Sequence, residues 1–525
     1  MDYYVSVGLI AVAALLSGAI GLPIIKIIQL SGYKARGVVA WWKATAYDAP
    51  IRYFALMLLS FIASVVFVGC FSSFEYVRYC AVLPYVILCA VFLAATVRNG
   101  NCNAKFTGRV KRLFALNMLI SLIPAAGVAW ATYYSPYCQT LAAALGLLAP
   151  FTVIAANAVT SPFERLNNKK YVKRAKRKLA EQAPIVIGIT GSFGKTTAKN
   201  MLAAMLGKKY TVLATPGSFN TPMGVCLTVN NELDGQQVFI AEMGARYKGD
   251  IAELCAIASP KYGVITSVGD MHLETLKSRE GVANAKFELG DALPADGLLV
   301  LNGYNADCAA LGARDTACKK LIASNGAEAS AESVVIDGNG TSFELTVNGE
   351  TRHVCSKLLG AHVAELAAVC AAVAGALGVS TDDIATAVAE MPPVEHRLQL
   401  VPSADSEVTV IDDAYNSNPV GAKNALAVLD CFDAKKIIIT PGFVELGTIE
   451  KQCNTELGAQ IAAVCDYAFL VGSRATDIKK GALGAGMNES AVSVFGSRDE
   501  AVAALKEITG KRAILFENDL PDNIK

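Results

Sequence analysis

Apolar positions are spread unevenly along the chain. Five stretches, about 4–29, 53–71, 77–97, 113–132 and 138–158, are almost continuously apolar. Each approaches the ~20 residues a helix needs to cross a hydrocarbon core. The pattern therefore predicts five transmembrane helices within residues 1–160. After Pro184 the pattern changes. Short β-branched runs at 185–190, 238–242, 263–267, 297–301, 408–412, 436–440 and 467–471 alternate with helical stretches such as 195–207. Strand alternating with helix predicts a mostly parallel sheet with helices on both faces. Residues 331–356 instead alternate around Gly338, Gly340 and an Asn348-Gly349 turn, the pattern of a small antiparallel insertion. A second α/β unit begins near Arg397. The expected architecture is multi-domain: an α-helical membrane domain (1–160), a basic linker helix (161–183), a central α/β domain (184–396) and a C-terminal Rossmann-like α/β domain (397–525).

Charge orients the membrane part. The 30–52 loop carries Lys34, Arg36, Lys43 and Arg52, and the 98–112 loop carries Arg98, Lys105, Arg109, Lys111 and Arg112. Beyond the fifth stretch lie Arg165, Lys169, Lys170, Lys173, Arg174, Lys176, Arg177 and Lys178. Basic loops stay in the cytosol, so five spans place the N-terminus outside and everything after about 160 in the cytoplasm. Met1-Asp2-Tyr3-Tyr4 lacks the basic start of a signal peptide. Asn117, Asn157 and Lys26 are the main polar residues in the spans, with no row of carboxylates to mark an ion path, so anchoring or presentation of a lipid substrate is expected rather than transport. The stretch 161–181 also holds Phe163, Leu166, Tyr171, Val172 and Leu179; it reads either as an interfacial helix against membrane lipids or as a solvated linker. A net charge of +1 gives no case for nucleic acid as a partner, and 14 cysteines without a C-x-x-C pair read as reduced thiols rather than a disulfide or zinc framework.

The chemistry concentrates after the first predicted strand of the central domain. Residues 190–197 read TGSFGKTT and open a helix. Gly191 and Gly194 let the backbone fold around oxyanions, and the helix N-terminus presents free N–H groups. Thr190, Ser192 and Thr197 complete the loop, Lys195 reaches toward phosphates, and the Thr196 hydroxyl suits magnesium. The spacing is shorter than the general phosphate loop, because position 189 is Ile rather than Gly. Two further signals are weaker. Val238–Glu242 is an apolar strand ending in a carboxylate, where a magnesium ligand belongs, and His272 follows the strand 263–267 at the sheet edge where ligands bind.

Taken in order, TGSFGKTT, PGSFNTPMGVCLTVNN (216–231), AEMGARYKGDI (241–251), ITSVGDMHLETLKSREGVANAKFEL (265–289), HRL (396–398), DDAYNSNP (412–419) and TPGFVELG (440–447) resemble the Mur ligase family over about residues 184–475. Within it they are similar to the members that add D-alanyl-D-alanine to a muramyl tripeptide. The resemblance implies an ATP-dependent ligase. A carboxylate of a cell-wall (peptidoglycan) precursor takes the γ-phosphoryl group, and an amino acid or dipeptide then displaces phosphate from the acyl phosphate. It implies ATP and two Mg2+ ions as cofactors. Glu242 and His272 match magnesium ligands, and Lys286 matches a lysine that the family carbamylates to hold the second ion. Arg397, Asp412 and Asn416 match nucleotide contacts.

Three departures qualify that expectation. The membrane block stands where the family carries a UDP-sugar domain, which makes a lipid-linked acceptor, or another envelope polymer such as a capsular poly-amino acid, an alternative. The family's G-x-H-N-x-x-N pattern reads Gly360-Ala361-His362-Val363-Ala364-Glu365-Leu366, without either asparagine. A C-terminal lysine-glycine-serine stretch is replaced by Leu515-Phe516-Glu517-Asn518-Asp519-Leu520-Pro521-Asp522, which reads as an amino-group contact or a polar terminus. A transport ATPase and a non-catalytic scaffold fit less well: the spans carry few polar residues and no ABC-type signature is found, and Lys195, Glu242, His272 and Lys286 are all retained.

Overall fold

The computed structural model describes residues 2–30, 33, 48–71, 82–98, 106–403, 405–415, 417–444 and 446–518. The described chain forms two compact units, residues 1–169 and 170–525.

The first unit is helical: α1 (Asp2–Ile20), α2 (Leu22–Leu30), α3 (Asp48–Phe71), α4 (Leu83–Arg98), α5 (Gly108–Tyr134) and the start of α6 (Ala149–Gln182). Among the described residues three helical stretches are long and apolar enough to cross a membrane: Tyr3–Gln29, Gly108–Tyr134 and Thr140–Gln182. The second and third predicted spans fall on α3 and α4; residues 77–81 of the third lie outside the described residues. The two asparagines of these apolar helices serve packing. Asn117 Nδ2 donates to the Gly18 carbonyl at 2.9 Å, and Asn157 Nδ2 donates to the Tyr33 carbonyl at 3.2 Å. An amide in an apolar setting must find such an acceptor. Gly18 is required there, because a Cβ would press on Met118 and Ser121 of α5.

A 3-10 segment, Pro136–Leu148, carries the first half of the fifth apolar stretch; α6 carries the second half and continues through the basic stretch, although the compact units divide inside it. Its last turns belong to the second unit. Ala175 and Leu179 are buried against the central domain, and Asn230 Nδ2 donates to the Tyr171 carbonyl at 3.0 Å. Part of the basic stretch is thus docked rather than a solvated linker.

The central domain is a six-stranded parallel sheet in the order β2-β3-β1-β4-β5-β6. The strands are β1 (Ile185–Thr190), β2 (Val212–Ala214), β3 (Val238–Glu242), β4 (Tyr262–Ile265), β5 (Leu298–Asn302) and β6 (Lys319–Ala323). Both faces are covered, which is why the strands read as continuous apolar runs. One face packs α7 (Lys195–Gly207), α11 (His362–Ala376) and α12 (Thr381–Glu390); the other packs α8 (Pro222–Glu232), α9 (Asp250–Ala258) and α10 (Arg279–Asp291). The expected insertion is a three-stranded antiparallel sheet, β7 (Ser330–Asp337), β8 (Gly340–Val347) and β9 (Glu350–Ser356).

The C-terminal domain is a second six-stranded sheet, β10-β11-β15-β12-β13-β14. Strand β10 (Gln399–Val401) is antiparallel to β11 (Val408–Asp413). The remaining strands, β12 (Lys435–Thr440), β13 (Tyr467–Val471), β14 (Val492–Phe495) and β15 (Arg512–Glu517), run parallel. The last strand inserts between β11 and β12, so Glu517 ends inside the sheet. It is fully buried, which removes the reading of this residue as part of a polar terminus; residues 519–525 lie outside the described residues.

Candidate active site

Strand β1 ends at Thr190, and the chain turns through 191–194 into α7. Gly194 has φ +79°, a conformation that suits glycine. A Cβ at Gly191 would run into the Thr266 hydroxyl. The turn is fixed from the neighbouring strand end. Phe193 N donates to Ser267 Oγ at 2.8 Å, Ser192 N to the Ser267 carbonyl at 3.0 Å, and Ser192 Oγ to the Gly269 carbonyl at 3.2 Å. Thr190 Oγ1 donates to the Met243 carbonyl at 2.9 Å, tying β1 to the end of β3. The first bond inside α7 is Ala198 N to the Gly194 carbonyl at 2.9 Å, so the N–H groups of Lys195, Thr196 and Thr197 have no partner within the helix. A turn of this kind can cradle an anion. Lys195 Nζ arches over the turn, donating to the carbonyls of Gly191 at 2.7 Å and Ser192 at 3.2 Å. Burial, opposed by Glu242 and helped by the charge of Arg397, lowers its pKa to about 8.

Glu242 is the centre of the adjoining cluster and is only 1% exposed. Its Oε2 accepts from Thr196 Oγ1 at 3.1 Å and pairs with Lys199 Nζ at 3.2 Å; its Oε1 accepts from Asn220 Nδ2 at 3.3 Å. Lys199, equally buried, also donates to the Gly217 carbonyl. Sequence reasoning missed Lys199 and Asn220. A signal for Lys199 existed: it lies four residues after Lys195, one turn along the same helix face.

Lys286 on α10 is 3% exposed and makes no hydrogen bond or ion pair among the described residues. Burial, reinforced by the Lys195 ammonium, lowers its pKa to about 7 against weaker pull from Asp250 and Glu288. The structure thus groups Lys195, Thr196 and Glu242, and the charge of Lys195 is felt at Lys286. His272 stands at φ +55° ahead of a single helical turn, Leu273–Leu276. No three His, Cys, Asp or Glu side chains gather among the described residues into a metal-holding cluster. Thr196 and Glu242 nevertheless fit magnesium, which takes few protein oxygens and keeps several waters.

The C-terminal domain closes the other side. Arg397 lies over the Tyr415 ring, 4.3 Å from Cζ to centroid, and its charge is felt at Lys195 and His362. Tyr415 OH hydrogen-bonds Ser218 Oγ at 2.5 Å, joining the two domains. Between them lies a cleft of ≈ 470 Å³ that includes Thr196, Lys199, Gly217, His396, Arg397 and Tyr415. Asp412 pairs with His396 Nδ1 at 2.7 Å, tying the segment before β10 to the end of β11. Asn416 lies outside the described residues. Asp413, beside Asp412 in sequence, is pushed up to about 7 by burial despite the nearby Arg397. In the altered pattern at 360–366, Leu366 packs against Gly194, and His362 Nδ1 is buried without a partner.

Comparison with known proteins agrees with this geometry. The Mur ligase middle domain matches residues 189–374, and the Mur ligase, glutamate ligase domain matches 396–517. The chain is 32% identical over 345 residues to UDP-N-acetylmuramoyl-tripeptide--D-alanyl-D-alanine ligase of Bacillus subtilis, covering 65% of this chain and 74% of that protein. It is 40% identical over 248 residues to the ligase of the same name from Mycobacterium tuberculosis, 46% of this chain but only 48% of that one. The crystal structure of MurF from Acinetobacter baumannii superposes with a TM-score of 0.62 at 25% identity, over 67% of this chain and 77% of that one. MurF from Thermotoga maritima in complex with ADP gives 0.61 at 25% identity, over 67% and 80%. The chain belongs to the Mur ligase family of ATP-dependent acid–amino acid ligases.

Proposed function

We propose that this chain is a MurF-type ligase held in the cell membrane. It joins a carboxylate of a peptidoglycan precursor to an amino acid or dipeptide, with release of ADP and phosphate. The observation that carries the reading is the Lys195–Thr196–Glu242 group at the mouth of β1 and β3, with Arg397 facing it from the C-terminal domain. A carboxylate is a poor electrophile, and phosphorylation turns one of its oxygens into a leaving group. The acceptor carboxylate attacks the γ-phosphorus, the donor amine attacks the acyl carbon, and phosphate departs. The N–H groups at the start of α7 hold the phosphates, while Lys195 and Arg397 offset the charge that gathers there. Thr196, Glu242 and His272 would hold magnesium, and Lys286, as its carbamate, a second ion; bound magnesium supplies further charge neutralisation.

The domain reading follows: five spans in 1–160 with the N-terminus outside, the basic stretch 161–183, and cytoplasmic ligase domains 184–396 and 397–525. The names of the relatives support a peptidoglycan acceptor. The unmatched N-terminal region, with its three membrane-length helices, favours a second reading: the acceptor is lipid-linked or belongs to another envelope polymer, such as a capsular poly-amino acid. Membranes carrying the protein are supplied with ATP, D-alanyl-D-alanine or single amino acids, and either UDP-muramyl tripeptide or lipid-linked acceptors, with product mass as the readout. Product from an envelope acceptor, lost in Lys195→Ala, is expected. Full amide formation by Lys195→Ala would refute the catalytic reading.

A further inference from the structure

The small antiparallel sheet carries chemistry that the ligase reaction does not use. Strands β8 and β9 pair with Glu344 directly opposite His353, and Cys355 follows two residues on, on the same face. Val354, Ser356, Phe343 and Leu345 point the other way and are buried. On the outer face His353 Nδ1 lies 2.8 Å from Glu344 Oε1, and Cys355 Sγ lies 3.3 Å from His353 Nε2. Cys355 and His353 are exposed, and Glu344 is part-exposed. A polar outer face needs only solubility. Here a thiol, an imidazole and a carboxylate stand in line, with both ring nitrogens engaged. That is the order in which a base activates a nucleophile and a third group orients the base.

The same protein holds an internal contrast. Cys431 is also exposed, but its thiol donates to the Ala427 carbonyl at 3.3 Å, and burial together with Asp430 pushes its pKa up. Cys355 faces a base, whereas Cys431 faces a carbonyl and is held protonated by burial and Asp430.

We propose that Cys355 is a modification site, a thiol activated by His353 and Glu344 that reacts with low-molecular-weight disulfides. His353 takes the thiol proton. The Cys355 sulfur attacks one sulfur of the disulfide; a new S–S bond forms, the old one breaks, and the released thiolate takes the proton back from His353. The products are a mixed disulfide at Cys355 and one free small thiol, so no other oxidant is needed. The modified residue lies five residues before Gly360, where β9 leads into helix α11 and its contact with the phosphate loop.

The test uses the detergent-solubilised full chain, exposed to glutathione disulfide and quenched at intervals, with each cysteine peptide quantified by mass. Cys355 should be modified at least about tenfold faster than Cys431. In His353→Gln its rate should fall to near that of Cys431, and in Glu344→Gln to an intermediate value. All three side chains are at the surface, and unchanged melting temperatures of the variants would exclude misfolding. Equal rates at Cys355 and Cys431, or a Cys355 rate indifferent to His353→Gln, would overturn the proposal.

Discussion

Lys286 offers the most demanding test of the proposed site. An ordinary lysine at pH 7 is neutral in only about one molecule in 3,000, whereas one with a pKa of about 7 is neutral in about half. Only the neutral amine can take up carbon dioxide, so burial beside Lys195 primes this residue more than a thousandfold, to order of magnitude, for carbamate formation. The same shift has a consequence for stability. The native state releases the Lys286 proton near pH 7, while the unfolded chain keeps it to about 10.5. Below pH 7 the buried cation therefore costs roughly 5 kcal/mol, a cost that shrinks as pH rises from 7 and vanishes near 10.5. In buffer freed of carbon dioxide, Lys286→Met should accordingly be more stable than the parent at pH 6, with the gain fading by pH 10. In 13C-bicarbonate at pH 8 the parent should show a carbamate resonance that Lys286→Arg lacks. A methionine variant less stable at pH 6, or a carbamate signal that survives Lys286→Arg, would refute the reasoning.

Two other perturbations follow from the same structure. Lys199→Met leaves the Glu242 carboxylate buried without its cation, which should cost about 3–5 kcal/mol. It should also raise the magnesium needed for half-maximal ADP binding by about 10–100-fold; an ADP titration at stepped magnesium that matches the parent would count against Glu242 as a ligand held by Lys199. Glu517 is pushed up to about 8 by burial, outweighing its bond from Thr440, so the native state keeps a proton that the unfolded chain loses near 4.5. Stability should fall as pH rises from about 4.5 to 8, and Glu517→Gln should remove that slope; parallel pH profiles of denaturant midpoints for parent and variant would contradict this.

Hydrophobic patterning was enough to read the two α/β domains, the antiparallel insertion and the strand that delivers Glu242. It could not read strand order, because a parallel crossover leaves no mark on the pattern of either strand. That order made Lys199 meaningful. The lysine is one helical turn beyond Lys195, but its partner lies 43 residues downstream, and the two meet only because β3 lies beside β1. Glu517 has the same history. Near the chain end it read as polar, yet β15 enters between β11 and β12 and carries it into the interior beside Asp413 and Thr440.

The altered pattern at 360–366 shows how a departure from a family motif acquires a physical role. With Leu366 in place of the second asparagine, the side chain joins the apolar cluster that packs α7 against α11. Its methyls approach Gly194 so closely that a Cβ there would stand 3.2 and 3.3 Å from them. An apolar side chain in that place braces the phosphate loop from behind and cannot hydrogen-bond a base. The polar groups nearby are instead His362, whose Nδ1 is buried without a partner, and Glu365, whose carboxyl is pushed upward by burial beside Asn302. The loop keeps its phosphate geometry because that geometry rests on backbone N–H groups and glycines. What surrounds it is free to change, and Leu366 supplies apolar packing where the motif has an amide.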